Sequence, residues 1–311
     1  MKKGTLKAVE AEDLGKRFGA LEALKGFNLD VEQGEIFGLL GPDGAGKTTA
    51  LRLLASVMRP SSGDAWIMGY HVVRQASKVR ENIGYMAQRF GLYQDLTVME
   101  NINFYADLYG VSGKARKEKI EELLAFSNLS AFTGRLAGHL SGGMKQKLSL
   151  VCALIHTPKV LLLDEPTSGV DPVSRREFWN IIYELARKEV TVILSTSYMD
   201  EAERCNRIGL LHEGKLLAVG TPKELKGSLG GSVIEIRSSQ ARKLFATIGK
   251  ELGEARVALW GDRVRIWSQR DPRLIMDEVA SILMEAHLTW DSMDEVPPTL
   301  EEAFIGKIGS P

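Results

Sequence analysis

The stretch that most constrains the fold is Gly41 to Thr49, GPDGAGKTT. It follows a five-residue apolar run, IFGLL, and precedes ALRLLASVM, whose apolar residues have helical spacing. Strand, glycine-rich turn and helix form the context in which a G-x-x-x-x-G-K-[ST] match becomes a phosphate-binding loop. Glycines let successive N–H groups turn inward toward one anion, and the helix start adds partial positive charge at the same place. Lys47 supplies a full charge for terminal phosphates, and the Thr48 hydroxyl is placed to ligate magnesium. A nucleotide with Mg2+ is the expected ligand.

A second constraint is KVLLLDEPTSGVD, Lys159 to Asp171. Val160 to Leu163 reads as a strand buried on both faces of a parallel sheet. It ends in two acids at the carboxyl edge, where such sheets bind ligands. Asp164 is expected to hold magnesium through water beside Thr48. Glu165, aimed to the opposite side by strand alternation, is expected to polarise an attacking water. A helix and a strand, Val190 to Ser197, follow, then a helix and the hairpin RIGLLHEGKLLAVG. These are successive βαβ steps.

Before the loop, residues 5 to 36 read as short strands and turns. Phe18 there is either a strand residue packing its neighbour or an aromatic shelf for a base. Residues 89–156 are helical in pattern, an insertion inside the α/β core. Within it, Ser141, Gly142 and Gly143 open a helix, with the serine as cap and a start suited to an anion. Residues 221–232 read as a linker by their glycine and serine content. Beyond it the order strand, helix, two strands, helix, strand is ferredoxin-like, and PPTLEEAFIGKI closes the chain as a proline-started helix.

The 311 residues carry 40 basic and 40 acidic side chains, so there is no bulk charge for nucleic acid and none is expected as a partner. Cys152 and Cys205 lack metal-ligand spacing and read as thiols of a reducing compartment. No apolar run approaches the roughly 20 residues of a membrane span, and the N-terminus lacks the apolar core of a signal peptide. A cytosolic chain with any membrane role held through a partner is the expectation.

Together these motifs resemble the ATP-binding subunits of ABC transporters over residues 5 to 227. The remainder is similar to the small domain appended to many subunits of drug-efflux-type exporters, down to TLEEAF. GPDGAGKTT (Gly41, Pro42, Asp43, Gly44, Ala45, Gly46, Lys47, Thr48, Thr49) resembles the Walker A loop and VLLLDEP the Walker B strand. LSGGMKQK resembles the signature sequence, and SGVD the D-loop. Gln88 falls where the Q-loop glutamine belongs, a role shared between metal and catalysis, and Phe18 where an aromatic stacks on adenine.

The resemblance implies an α/β P-loop NTPase core with a mostly parallel sheet, an antiparallel N-terminal β part and a helical insertion. It places an ATP-binding domain at 1–227 and a small α+β domain at 228–311. It implies ATP and Mg2+ as ligands, a second ATP-binding subunit whose Ser141 to Gly143 faces each ATP, and integral membrane permease subunits. The site is the cytoplasmic face of the membrane, with the chain peripheral. Two positions depart from the family. Ser197 stands where the switch histidine belongs, and Asp43 replaces an asparagine. A slow site in a heterodimer is the resulting expectation. A soluble ABC ATPase outside transport, or a mainly regulatory ATP-binding module, stays open at this point.

Overall fold

The computed structural model describes residues 7–89, 91–228, 230–252 and 256–308. The chain divides into two compact units, Met1–Thr221 and Pro222–Pro311. Leu229 of the expected linker and Glu254 and Ala255, at the start of an expected strand, lie outside the described residues.

The first unit opens with a long hairpin, β1 (Lys7–Phe18) and β2 (Leu21–Glu32). It is longer than the short strands the sequence implied, because bulges let one strand continue where the apolar alternation breaks, as between Ala11 and Leu14. Next come β3 (Ile36–Leu40), α1 (Lys47–Leu54), β4 (Ser62–Ile67), β5 (Tyr70–His71), α2 (Ala76–Asn82) and β6 (Ile83–Met86). The expected helical insertion follows as α3 (Val98–Leu108), α4 (Gly113–Ser127) and α5 (Gly142–Leu154). A reciprocal Thr97–Glu100 capping box starts α3, and Ser141 caps α5. The core resumes with β7 (Val160–Asp164), α6 (Pro172–Arg187), β8 (Thr191–Thr196), the single turn α7 (Met199–Ala202), β9 (Arg207–His212) and β10 (Lys215–Gly220). Asp171 accepts from the amides of Val173 and Ser174 and Pro172 presets φ, which together fix where α6 begins.

Two sheets result. One is antiparallel, in the order β2-β1-β4-β5; the other runs β10-β9-β3-β8-β7-β6. In the second, β9, β3, β8, β7 and β6 are parallel and only β10 runs against its neighbour. β3, β7 and β8 are buried along their whole length, which is why β3, residues 160–163 of β7 and residues 192–194 of β8 are apolar runs without alternation. Phe27, Leu14 and Ile67 of the first sheet share a core with Phe37, Leu162 and Ile193 of the second and with Leu51 and Leu53 of α1. Truncating Phe37 to alanine there costs about 3–5 kcal/mol. This packing holds the carboxyl ends of β3, β7 and β8 side by side.

The second unit contains α8 (Pro222–Gly227), β11 (Ser232–Arg237), α9 (Ala241–Glu251), β12 (Arg256–Trp260), β13 (Arg263–Ser268), α10 (Pro272–Glu285), β14 (Ser292–Val296) and α11 (Leu300–Ile308). Its sheet order is β12-β13-β11-β14 with every pair antiparallel, the ferredoxin-like arrangement. Ile234, Ile236, Val264 and Ile266 meet Leu244, Ile248, Ile275 and Val279 of the two long helices. Two details differ from the sequence reading. The expected linker holds a helix, α8, which packs on α11 within this unit, whereas the boundary drawn after Gly227 left it with the first part. The start of α11 is set by Thr299 rather than the prolines: its hydroxyl accepts from the Glu302 amide while the Glu302 carboxylate accepts from the Thr299 amide.

Candidate active site

The loop between β3 and α1 is shaped by what its glycines permit. A Cβ on Gly41 would sit 2.3 Å from the Leu211 carbonyl oxygen. Gly46 has φ +107° and a Cβ there would lie 2.5 Å from the Ala23 oxygen, so no other residue fits. α1 begins directly after Gly46, leaving its first amides without helical partners. Lys47, only 4% exposed, donates to the carbonyls of Gly41 (2.7 Å) and Pro42 (3.1 Å) and pairs with Glu165 Oε1 at 3.1 Å. Asp43 Oδ1 is 3.9 Å from the same ammonium, but its side chain is exposed.

Asp164, the last residue of β7, is fully buried. Its Oδ1 accepts from Thr48 Oγ1 at 3.0 Å and from Ser195 Oγ at 2.7 Å, while Oδ2 is buried without a partner. Burial pushes this carboxyl above its ordinary range, the hydroxyls of Ser195 and Thr48 pull it back, and the neighbouring Glu165 pushes it up again. An orphaned carboxylate oxygen beside a threonine hydroxyl is a hard oxygen-donor set, which fits a magnesium ion that keeps waters and substrate oxygens. Among the described residues no group of three His, Cys, Asp or Glu could hold a metal ion.

Glu165 does not continue the strand. Its φ is +47°, so the chain turns there, and its side chain is aimed by that turn rather than by the strand alternation the sequence argument used. The turn is held because the Glu165 amide donates to both the carbonyl (3.2 Å) and the hydroxyl (2.9 Å) of Ser195. Glu165 Oε2 accepts from Gln88 Nε2 at 2.9 Å, and Ser197 Oγ lies 3.4 Å from Oε1. A cavity of about 390 Å3 is lined by Phe18, Leu21 and Ala23, by Asp43 through Thr49, and by Gln88 and Glu165. Phe18 is half-exposed at its edge, with Lys16 Nζ 5.2 Å from the ring centroid.

Of the residues singled out in the sequence, Phe18, Asp43 to Thr49, Gln88, Asp164, Glu165 and Ser197 therefore converge. Gly41 and Pro42 take part through the carbonyls that hold Lys47. Ser141, Gly142 and Gly143 lie outside this cavity lining; Ser141 Oγ accepts from the Met144 amide at 3.3 Å, and a Cβ on Gly143 would meet Ser174. Ser195 escaped the sequence reading although it touches both acids. Its signal was present as the hydroxyl run Ser195-Thr196-Ser197 closing an otherwise apolar strand next to β7.

A P-loop, two acids at the end of the adjoining strand, an antiparallel β part and a helical insertion define an ABC-type ATPase. The ABC transporter family profile matches residues 24–168. The chain is 43% identical over 300 residues to the probable multidrug ABC transporter ATP-binding protein YbhF of Escherichia coli, covering 95% of this chain and 51% of that one, so it spans about half the length of that relative. It is 35% identical over 309 residues to the daunorubicin/doxorubicin resistance ATP-binding protein DrrA of Streptomyces peucetius, covering 98% of this chain and 93% of that one. The solved dimeric, post-hydrolysis structure of the ATP-binding cassette MJ0796 bound to ADP and Pi matches with a TM-score of 0.63 and 26% identity, over 68% of this chain and 98% of that one. This chain belongs to the ATP-binding proteins of the ABC transporter family.

Proposed function

We propose that this chain is the energising subunit of an ABC exporter, binding ATP with Mg2+ in the cavity beside Gly41–Thr49 and hydrolysing it slowly. The observation that carries the reading is the meeting of Lys47, Gln88 and Ser197 on the single carboxylate Glu165 at that cavity. The names of the relatives, for multidrug transport and for daunorubicin resistance, supply the exporter class.

Each residue has a separable task. Lys47, already desolvated, gives its charge to the terminal phosphates, where low local polarity makes it count. Thr48 and Asp164 hold the magnesium ion, which when bound neutralises phosphate charge. Glu165 acts as general base for water, and Gln88 fixes its second oxygen. Phe18 offers a ring edge and face to the adenine. Ser197 reaches Glu165 only at 3.4 Å, and a hydroxyl cannot become cationic as a histidine does. Asp43 adds an acid near Lys47. Both features favour a slow site.

Ser141 to Gly143, outside the cavity, are left to serve the site of a second ATP-binding subunit, a heterodimeric partner by preference. Transport itself falls, in this reading, to separate permease subunits, with this chain peripheral on their cytoplasmic side; among the described residues no helix is long and apolar enough to cross a membrane. The test is steady-state ATPase of the purified chain, alone and with its candidate partner. The expected outcome is low turnover alone and stimulation by the partner. Robust turnover alone, unchanged by any partner, would refute the heterodimer.

A further inference from the structure

The first unit buries three acids among its described residues: Glu35, Asp164 and Glu201. Glu35 caps the turn between β2 and β3 by accepting from the Glu32 amide, and Asp164 belongs to the site. Glu201 has no part in the function proposed above, yet it is only 1% exposed. Burying a carboxylate is expensive unless it is paired, and a packed apolar residue is often at least as stabilising. Its contacts therefore point to geometry rather than to stability.

Those contacts join two segments. Glu201 Oε1 accepts from Thr167 Oγ1, and Oε2 accepts from Thr196 Oγ1 at 2.7 Å. Arg175 of α6 supplies the counter-charge, with Nε 3.6 Å from Oε1, and its guanidinium lies 4.7 Å over the Tyr198 ring. Thr196 Oγ1 in turn accepts from the Tyr198 amide at 3.0 Å. Thr167 is two residues beyond Glu165, and Thr196 immediately precedes Ser197. Both threonines are buried. One carboxylate thus bridges the loop leaving Glu165 and the segment carrying Ser197, whose own direct contact is the long 3.4 Å one.

We propose that Glu201 is a positioning residue for hydrolysis: through Thr167 and Thr196 it keeps Glu165 and Ser197 in one register, while nucleotide affinity stays with Gly41–Thr49. The inference rests on the reading of Glu165 as general base. Thr167→Val and Thr196→Val each remove one arm of the bridge with almost no change of shape. The double variant removes both.

The measurements are kcat and KM for ATP in the full chain, alone or with the partner that stimulates it, together with equilibrium binding of a non-hydrolysable ATP analogue. Each valine variant is expected to lower kcat about ten- to a hundredfold, the scale of a hydrogen bond to a charged group, with analogue affinity within about twofold of the parent. Because a bridge cut at one end is already cut, the double variant should be no slower than the slower single one. Thr167→Ser and Thr196→Ser, which keep the hydroxyl, should retain the parental kcat. Losses that multiply in the double variant, analogue affinity that falls in step with kcat, or unchanged kcat would each overturn the proposal. Glu201→Gln is a further probe, but the threonine variants carry the test if it does not fold. Glu165→Gln separates the two readings. If it keeps the parental rate, the base assignment fails and takes this inference with it. If it is inactive while the valine variants are at full speed, only the role of Glu201 fails.

Discussion

Two sides of one cavity are built by different means. On the loop side, Gly41 to Thr49, position is set by backbone: Gly41 and Gly46 occupy places where a Cβ would collide with carbonyl oxygens, and carbonyls hold Lys47. On the acid side, where Glu165 lines the cavity, position is set by side chains behind it at the end of β8: Ser195 binds both acids, and Thr196 reaches Glu201. A backbone cradle has few sequence solutions and is lost whole. A side-chain lattice can be retuned one group at a time, and Ser197, which reaches Glu165 Oε1 only at 3.4 Å, is the group there most open to such a change.

Damage to the loop side is expected to have the largest effect. Gly46→Ala imposes a left-handed φ of +107° on a residue with a side chain and drives a Cβ into the Ala23 oxygen. Strain and overpacking together predict a loss of about 2–6 kcal/mol of stability, read by chemical denaturation, with ATP binding lost alongside. A variant that binds ATP normally would show the loop to be less backbone-determined than its geometry implies. On the lattice side, Ser195→Ala is expected to leave metal-free nucleotide binding intact while weakening Mg2+ activation about 10–100-fold, the scale of a lost partner behind a metal ligand. A Mg2+ titration of the ATPase, with fluorescent-nucleotide binding in EDTA, checks both halves.

The same contrast explains what was legible in the sequence. Glycines forced by backbone geometry leave a fixed spacing, so the loop, the strand before it and the helix after it could be read directly. Buried parallel strands read equally well, because β3 and β7 have no polar alternation. The ferredoxin-like order of the second unit followed from alternating strands and one-sided helices. The lattice was illegible for a physical reason: Ser195 and Glu201 are ordinary residues whose meaning comes from neighbours on β7 and the following loop, some thirty residues away in the chain. The direction of Glu165 depended on a positive φ that strand periodicity does not announce. Likewise α8 was hidden by flanking glycines, which report a chain break more loudly than Pro222 to Gly227 report a helix. Arg265, buried between Glu235 and Glu302 in the second unit, shows the same limit.

A gain of function tests whether the lattice is tunable. Ser197→His places a group able to carry positive charge beside Glu165 Oε1. If the missing charge limits the site, kcat should rise by about tenfold, as one charge-assisted hydrogen bond is gained, with KM nearly unchanged. Turnover equal to the parent's would show that the absence of a charge at Ser197 does not limit the rate.

The smallest expected effect is on stability, and it asks whether Asp164 is there for a metal or for the fold. Burial raises its carboxyl in the folded chain, so the metal-free folded state binds a proton more tightly than the unfolded chain does. The associated stability is complete below the ordinary carboxylate range and is lost as pH rises through the raised value. Asp164→Asn removes that loss while keeping an oxygen for the hydroxyls of Thr48 and Ser195. In EDTA at pH 7.5 the variant should therefore melt above the parent, by about 2–4 °C for each kcal/mol recovered, with the gap closing as pH is lowered toward 4. Adding Mg2+ and ATP should reverse the order, because only the parent gains stability by binding both. A variant that melts below the parent in EDTA at every pH would make Asp164 a structural anchor, and the lattice on its side of the cavity would then be part of the fold's support rather than an adjustable setting of the site.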